Sequence, residues 1–215
     1  MIPAQAIALF LKPPVPGRVK TRLAKDIGDE AACNIYRSLA DHAMQQAQAS
    51  GVPLMLFFDG ATRDELPEDW RGAANRCLPQ QGADLGQRMA AAFSTLFTEG
   101  AQQVVLIGSD IPGIDRSYLQ QAFQLLVNHD LVIGPAFDGG YCLIGFTCQG
   151  FTPAVFSNIS WSTQQVLHQS LARATDAGLS VGLLPVLRDI DTVADLQSLE
   201  QQGGLPWKLS TSEVE

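Results

Sequence analysis

The sequence predicts an α/β fold, a three-layer α/β/α sandwich in which a mostly parallel sheet lies between two layers of helices. Strand-like and helix-like segments alternate along the 215 residues, which is typical of parallel strands joined by helices. The strand-like segments are almost continuously apolar, as expected for strands covered on both faces. We expect residues 1–202 to form one domain and the polar, acidic residues 203–215 to form a C-terminal tail.

Short apolar runs and helical periodicity define the expected elements. The first run, AIALFL, ends at a Lys-Pro-Pro sequence and predicts a buried strand closed by a stiff loop. The run VVLIG is the most apolar, so we expect it at the centre of the sheet. In chain order, the predicted strands are 6–11, 53–58, 104–108, 130–136, 141–146 and 181–186. A helix is expected to begin near Val19, and apolar residues at helical spacing predict others over 29–49, 83–97, 116–128, 162–176 and 192–201.

Charge is unevenly distributed along the chain. The formal net charge is −8, yet the first 25 residues carry five basic side chains and no acidic one. We expect no nucleic-acid or membrane partner, because an acidic protein repels polyanions, and the compact basic segment points to a small anion instead. The N-terminal apolar run is unlike a signal peptide, no apolar run is long enough to span a membrane and no CxxC pair occurs, so we expect a cytoplasmic protein.

The basic segment lies in KPPVPGRVKTRLA at 12–24, directly after the first predicted strand. Its three prolines stiffen the loop, and Gly17 permits a turn and a close backbone approach. Lysine and arginine side chains grouped in this way suit phosphate oxygens, and the four in question are Lys12, Arg18, Lys20 and Arg22. The segment is not a Walker A motif. The alternative interpretation is a solvated basic loop.

Two further segments place carboxylates at strand ends. Asp110, in IGSDIPGI, follows the central strand and is placed either to bind Mg²⁺ or to form a turn. Asp189 and Asp191 precede the last helix, where residues 192–195 fit a capping box. A carboxylate from this second segment has the chemistry to join Asp110 on one metal ion. Taken alone, each segment favours the simpler turn or cap.

The segment FDGGYCLIGF contains Asp138, Gly139 and Gly140 between two predicted strands. A hairpin turn explains these residues, and the glycines also permit a ligand to approach the backbone closely. Trp161, in SWST, is either a pocket wall or a core residue. No pattern for a covalent nucleophile is present, since neither GxSxG nor a Cys-His arrangement occurs.

Taken together and in order, the strings FLKPPVPGRVKTRLA, QGADLGQRMAAAF, GSDIPG, DGGYCLIGF, NISWST and DIDTVADL resemble a known family. It comprises bacterial transferases encoded beside radical-SAM and selenoprotein-domain genes. They are classed as glycosyltransferases of the nucleotide-diphospho-sugar transferase superfamily, whose fold is GT-A, a Rossmann-like arrangement. The likeness covers roughly residues 6–200. The N-terminal string is also similar to that of phospholactate guanylyltransferases, in which Lys-Ser-Arg-Leu stands where this chain has Lys20-Thr21-Arg22-Leu23.

The resemblance implies roles for individual residues. In the superfamily, an Asp at the end of the central strand and an Asp that opens the last helix hold Mg²⁺ or Mn²⁺ on the nucleotide phosphates, and the matching residues are Asp110 and Asp191. It implies catalytic roles for Lys20, Arg22 and Asp110, and substrate contacts for Lys12, Gly17, Arg18, Asp138, Gly139, Gly140 and Trp161. One departure is that GSDIP replaces the DxD triplet of many glycosyltransferases, so metal binding depends on the distant Asp191.

The expected function is therefore that of a transferase that uses a nucleotide or nucleotide-sugar donor and an unidentified small-molecule acceptor. Two reactions remain open, glycosyl transfer with loss of a nucleoside diphosphate and nucleotidyl transfer with loss of pyrophosphate. Neither requires a covalent nucleophile, because cations and a metal stabilise the charge that develops on the leaving group. A non-catalytic nucleotide-binding protein is the alternative from another class.

Overall fold

A seven-stranded sheet forms the centre of the protein in a computed structural model, which describes residues 4–201. The expected tail at 203–215 lies outside the described residues. The strands are β1 (Gln5–Leu11), β2 (Leu54–Phe58), β3 (Arg76–Pro79), β4 (Gln103–Gly108), β5 (Leu131–Pro135), β6 (Tyr141–Thr147) and β7 (Val181–Leu183). The helices are α1 (Thr21–Ile27), α2 (Asp29–Ala49), α3 (Glu68–Ala73), α4 (Leu85–Thr98), α5 (Arg116–Leu125), α6 (Val166–Asp176) and α7 (Val193–Gln201).

The strands are ordered β3-β2-β1-β4-β6-β5-β7 across the sheet. Six of them run in one direction, and β6 alone is antiparallel to its neighbours β4 and β5. The mostly parallel sheet is thus confirmed, as are the central place of β4 and the hairpin that joins β5 to β6. The carboxyl ends of the six parallel strands meet at one edge, where ligands bind in open α/β sheets.

Alternate residues of β1 face the two helical layers, which explains why the whole run is apolar. Ile7, Leu9 and Leu11 pack on one side with residues of α2 and α5. The neighbouring positions, Ala6, Ala8 and Phe10, pack on the other side with α4 and α6. Because both faces of the strand are buried, the expected three-layer sandwich is confirmed.

A smaller apolar cluster packs α1 and the segment before α7 against α2. Leu23 of α1 packs with Ala32, Ile35 and Leu39 of α2, and all four are buried. Ile190, just before α7, joins the same cluster and is 1% exposed. The cluster therefore holds the segments that contain Lys20 and Asp191 beside one another.

Several elements differ from those expected. The polar stretch after β2 contains α3 and β3, which had no apolar signature. The last predicted strand stops at Leu183, and Pro185, which lacks an N–H group, lies two residues beyond it. The helix expected from residue 162 begins at Val166, because Ser162 has a φ of 62°, outside the right-handed helical region. Over residues 4–201, no helix is both long and apolar enough to cross a membrane.

Candidate functional site

The loop after β1 is held in place by a buried tyrosine of α2. The hydroxyl of Tyr36 accepts a hydrogen bond from the backbone N–H of Lys12 at 2.8 Å and donates one to the backbone carbonyl of Lys12 at 3.0 Å. It also accepts a bond of 3.2 Å from the hydroxyl of Ser109, which follows β4. Burial raises the pKa of Tyr36 to about 12, so its hydroxyl stays protonated at neutral pH. One side chain thereby joins the ends of two neighbouring strands.

The same loop turns sharply before α1. Its Gly17 has a φ of 76°, and a Cβ at this position would lie 3.3 Å from Oδ2 of Asp29. Glycine is therefore favoured both by its backbone conformation and by the close approach of α2. The predicted turn at Gly17 is present, while its predicted substrate contact stays a prediction.

Lys20 lies between two carboxylates at the start of α1. Its side chain is 4% exposed, and Nζ donates to Oδ2 of Asp110 at 2.7 Å and to Oδ1 of Asp191 at 2.8 Å. Burial acts to lower the pKa of Lys20, but the charges of the two aspartates outweigh burial and raise it. The ammonium is therefore charged at neutral pH, and it joins residues that lie far apart in the sequence.

The segment before α7 presents Asp191 to this centre. The carboxylate of Asp195 accepts hydrogen bonds from the backbone N–H groups of Asp191 and Thr192, and the hydroxyl of Thr192 accepts one from the N–H of Asp195. The expected capping box is thus present, and it fixes the backbone at Asp191. Arg22 is 70% exposed, and its Nη1 lies 3.4 Å from Oδ2 of Asp191.

A cavity of about 570 Å³ opens beside these groups at the carboxyl edge of the sheet. Its lining includes all four predicted cations and both predicted metal ligands, namely Lys12, Arg18, Lys20, Arg22, Asp110 and Asp191. Lys12, Arg18 and Arg22 are exposed side chains of this lining, and Arg22 also pairs with Asp191. The volume is in the range of pockets that hold small molecules and cofactors.

Sequence reasoning missed part of the cavity wall. Asp59 follows β2, Gln80 follows β3, and Arg88 lies on α4. Nη1 of Arg88 is 2.7 Å from Oδ2 of Asp59, so the two side chains form an ion pair in the lining. Because the carboxyl ends of parallel strands share one edge, the polar residue after each strand was the signal available for Asp59 and Gln80.

The turn between β5 and β6 lies outside the lining of this cavity. Asp138 accepts a hydrogen bond from the N–H of Gly140 at 2.8 Å, and a Cβ on Gly139 would lie 2.5 Å from the carbonyl oxygen of Gln164. Trp161 packs edge-on against Tyr141, with ring centroids 6.5 Å apart. These contacts explain the residues by packing and turn geometry, and their substrate contacts stay predictions.

Asp189 lies near three other carboxylates of this edge of the sheet, those of Asp110, Asp138 and Asp191. Partial burial, and then the negative charges of Asp191, Asp138 and Asp110, raise the pKa of Asp189 to about 6. Asp189 therefore lies within reach of the charge at the turn as well as the charges of Asp110 and Asp191. A positive ligand that entered here would relieve this repulsion.

The carboxylates of this site suit a metal ion that binds together with a phosphate group. Among residues 4–201, no group of three or more His, Cys, Asp or Glu side chains is arranged to hold a metal by itself. Mg²⁺, however, is commonly bound by one or two carboxylates together with substrate phosphates and water. Asp110 and Asp191, bridged by one ammonium, supply two such carboxylates beside the basic loop. The residues present therefore fit Mg²⁺ or Mn²⁺ in company with a phosphate ligand.

Comparison with known proteins identifies relatives of the chain. Residues 42–163 match the profile of a bacterial family described as "Uncharacterized protein conserved in bacteria (DUF2064)". No protein with a curated description matches. A crystal structure of a proposed nucleotide-diphospho-sugar transferase from Desulfovibrio desulfuricans G20 superposes with a TM-score of 0.88 and 37% sequence identity, over 98% of this chain and 90% of that one.

Two more distant structures share the fold alone. A CMP:2-keto-3-deoxy-manno-octonic acid synthetase in complex with CTP has a TM-score of 0.53 at 12% identity, over 94% of this chain and 98% of that one. A Mycobacterium tuberculosis H37Rv protein in complex with manganese has a TM-score of 0.52 at 17% identity, over 92% of this chain and 98% of that one. The expected superfamily fold is confirmed, and the expected transferase class agrees with the relative from Desulfovibrio. The expected link to radical-SAM genes stays a prediction.

Proposed function

The chain belongs to the bacterial family DUF2064, whose profile its residues 42–163 match. On that premise, we propose that it is a transferase that binds a nucleotide-activated donor in the cavity beside Lys20. The main observation behind this proposal is that four cations from the segment 12–22 and two carboxylates from distant segments line the same cavity. Such a combination matches the phosphates of a nucleotide together with a divalent metal.

The exposed cations of the loop bind the phosphates. Lys12, Arg18 and Arg22 surround the cavity, and guanidinium groups bind phosphate oxygens in pairs. Tyr36 holds the backbone of Lys12, so the start of the loop is ordered before the ligand arrives. Such preorganised cations stabilise negative charge on a departing phosphate without having to move during the reaction.

Asp110 and Asp191 would hold Mg²⁺ or Mn²⁺, which supplies positive charge to the phosphates when it is bound. The distant structural neighbour in complex with manganese supports this choice of metal. Within the chain itself, the two carboxylates are positioned by the end of β4 and by the capping box before α7. Because the backbone is fixed at both positions, the fold itself places the carboxylates of Asp110 and Asp191 beside one another.

Two reactions fit the cavity, and a different observation favours each. Glycosyl transfer breaks the bond between the sugar carbon and the nucleoside diphosphate, and the relative from Desulfovibrio supports it. Nucleotidyl transfer breaks the bond between the α-phosphorus and pyrophosphate. It is favoured by four cations, more than a diphosphate usually requires, and by the CTP complex of a structural neighbour. In both reactions the turn at 138–140 stays a predicted contact to the acceptor or the sugar, and Trp161 stays a predicted substrate contact.

The test is thermal unfolding of the full chain with nucleoside triphosphates and nucleotide sugars, each with and without Mg²⁺. Stabilisation by one triphosphate supports nucleotidyl transfer, and stabilisation by one nucleotide sugar supports glycosyl transfer, since a ligand that binds only the folded state raises the unfolding temperature. Asp110→Asn should remove the part of the shift that depends on Mg²⁺. Asp26→Asn, an exposed position on α1 outside the cavity lining, should leave it unchanged. No shift with any nucleotide would contradict the proposal.

A non-catalytic nucleotide-binding protein would also be stabilised by a nucleotide, so the thermal shift alone does not distinguish it from an enzyme. Product analysis with the stabilising nucleotide then separates binding from transfer. Release of pyrophosphate or of a nucleoside diphosphate in the presence of acceptor candidates supports the enzyme, and binding without any release supports the alternative.

A further inference from the structure

The ammonium of Lys20 uses the same carboxylates that we assign to the metal. Nζ lies 2.7 Å from Oδ2 of Asp110 and 2.8 Å from Oδ1 of Asp191, and the side chain is 4% exposed. Both contacts are short, charge-assisted hydrogen bonds, the stronger class in proteins. The two carboxylates therefore already share one cation that belongs to the chain itself.

The surroundings of Lys20 fix its backbone conformation. Lys20 has φ 46° and ψ 44°, a left-handed conformation that is uncommon outside glycine. Its neighbour Val19 is 4% exposed, and Leu23, one turn further on, is fully buried. Strained residues of this kind persist when the surroundings fix them, and here the fixing contacts are two buried anchors and two ion pairs. The backbone of Lys20 is therefore fixed, and its ammonium changes partners only by movement of the flexible four-carbon side chain.

A free divalent metal meets an obstacle at this pair. If the metal displaces the ammonium, a nearly buried positive charge loses both of its partners, which is strongly unfavourable. If the ammonium stays, two cations lie side by side on the same two carboxylates. A phosphate group removes the conflict, because its oxygens accept the hydrogen bonds of the ammonium while the metal takes the carboxylates.

We infer that the ammonium of Lys20 prevents a free divalent metal from binding to Asp110 and Asp191. The two carboxylates become available to the metal when the phosphates of the donor accept the hydrogen bonds of this ammonium. Metal and donor then enter together, and the site does not fill with metal alone. The identity of the phosphate ligand rests on the proposed function, whereas the competition between ammonium and metal rests only on the contacts of Lys20.

The test is calorimetric titration of the full chain with Mn²⁺ alone, without any nucleotide. Lys20→Met should bind Mn²⁺ at least about tenfold more tightly than the wild type, because the competing charge is gone. Lys20→Gly should do the same, and it relieves the left-handed backbone, so it serves where Met prevents folding. The matched control is Lys25→Met, which removes one exposed positive charge from the same helix and should bind Mn²⁺ as the wild type does.

Three outcomes would overturn the inference. The first is a wild type that binds Mn²⁺ alone as tightly as a folded Lys20 variant, and the second is a folded variant that binds it no more tightly than Lys25→Met. A wild type that binds Mn²⁺ alone with submicromolar affinity also overturns it, whichever variants fold. The Mn²⁺ titration contains no nucleotide, so a negative result in it does not affect the thermal shifts that test the proposed function. Conversely, if no nucleotide shifts the unfolding temperature, the competition between the ammonium and the metal can still be tested.

Discussion

At the scale of single residues, Tyr36 shows how one side chain serves both the core and the site. The sequence places it on the apolar face of the helix 29–49, and its ring is indeed buried against β1 and β4. Its hydroxyl, however, reaches both backbone polar groups of Lys12 and the side chain of Ser109. Helical periodicity predicts only that Tyr36 is buried in the core. It carries no information about which strand ends lie within hydrogen-bond distance of the hydroxyl.

Removal of the Tyr36 hydroxyl should lower both the free energy of unfolding and the affinity for the nucleotide. Tyr36→Phe leaves the N–H and carbonyl groups of Lys12 without a partner, so we expect a loss of about 1–3 kcal/mol in the free energy of unfolding. Nucleotide binding should weaken as well, since the loop that carries the cations is released. Chemical denaturation and titration with the stabilising nucleotide measure the two effects.

The control for this pair of effects is Tyr118→Phe. The hydroxyl of Tyr118 donates to the carbonyl of Pro185 at 2.8 Å and lies outside the cavity lining, so its loss should lower stability without weakening nucleotide binding. Equal effects of both variants on binding would show that Tyr36 acts through general stability and would contradict its role in positioning the loop.

Lys20 marks the limit of prediction at this scale. The sequence groups Lys20 with three other cations and pairs Asp110 with Asp191, and the cavity contains all of these residues. The bridge from Lys20 to both aspartates was not predictable, because it depends on a left-handed backbone at a lysine, which only tertiary contacts stabilise.

At the scale of elements, α4 illustrates packing that overrides helix propensity. Its Gly86 lies in the first turn, where alanine would ordinarily stabilise the helix. A Cβ at this position would lie 2.7 Å from Cζ2 of Trp161 and 3.0 Å from the carbonyl oxygen of Phe156. Glycine is therefore required by the close approach of the segment before α6, which also explains why Trp161 is held against this helix.

Gly86→Ala should accordingly destabilise the protein by about 1–3 kcal/mol, as overpacking does elsewhere. Gly72→Ala is the matched control, because a Cβ there meets no atom within 4 Å and α3 should gain up to about 1 kcal/mol from alanine. Thermal or urea unfolding compares the two variants. A neutral or stabilising Gly86→Ala would show that Trp161 moves freely and is not fixed by this contact.

The position of β3 at the edge of the sheet explains why the sequence failed to predict this strand. The residues of β3, Arg76–Pro79, are exposed or partly buried and pair only with β2 at the edge of the sheet. An edge strand of this kind needs no apolar run, so apolar patterning does not reveal it. The central strands β1, β2 and β4, buried on both faces, were predicted to within one residue of their ends.

At the scale of the whole molecule, the uneven charge of the chain brings opposite charges to one cavity. The basic residues near the N-terminus and the carboxylates of Asp110 and Asp191 line it together, and Lys20 contacts both carboxylates. Parallel strands bring the two sets together, because their carboxyl ends share one edge. The fold class and the general position of the site thus follow from the sequence, whereas the nucleotide base and the acceptor do not, since no motif in the chain encodes them.

The central claim is that one cavity binds donor phosphates on the loop 12–22 and a metal ion on Asp110 and Asp191. The most direct measurement is a crystal structure of the full chain with Mn²⁺ and the nucleotide that stabilises it best, with anomalous diffraction to locate the metal. We predict one anomalous peak in contact with both carboxylates and with phosphate oxygens, and Lys12, Arg18 and Lys20 directed at the same phosphates. Phosphates bound away from this loop, or a metal that contacts neither aspartate, would contradict the account.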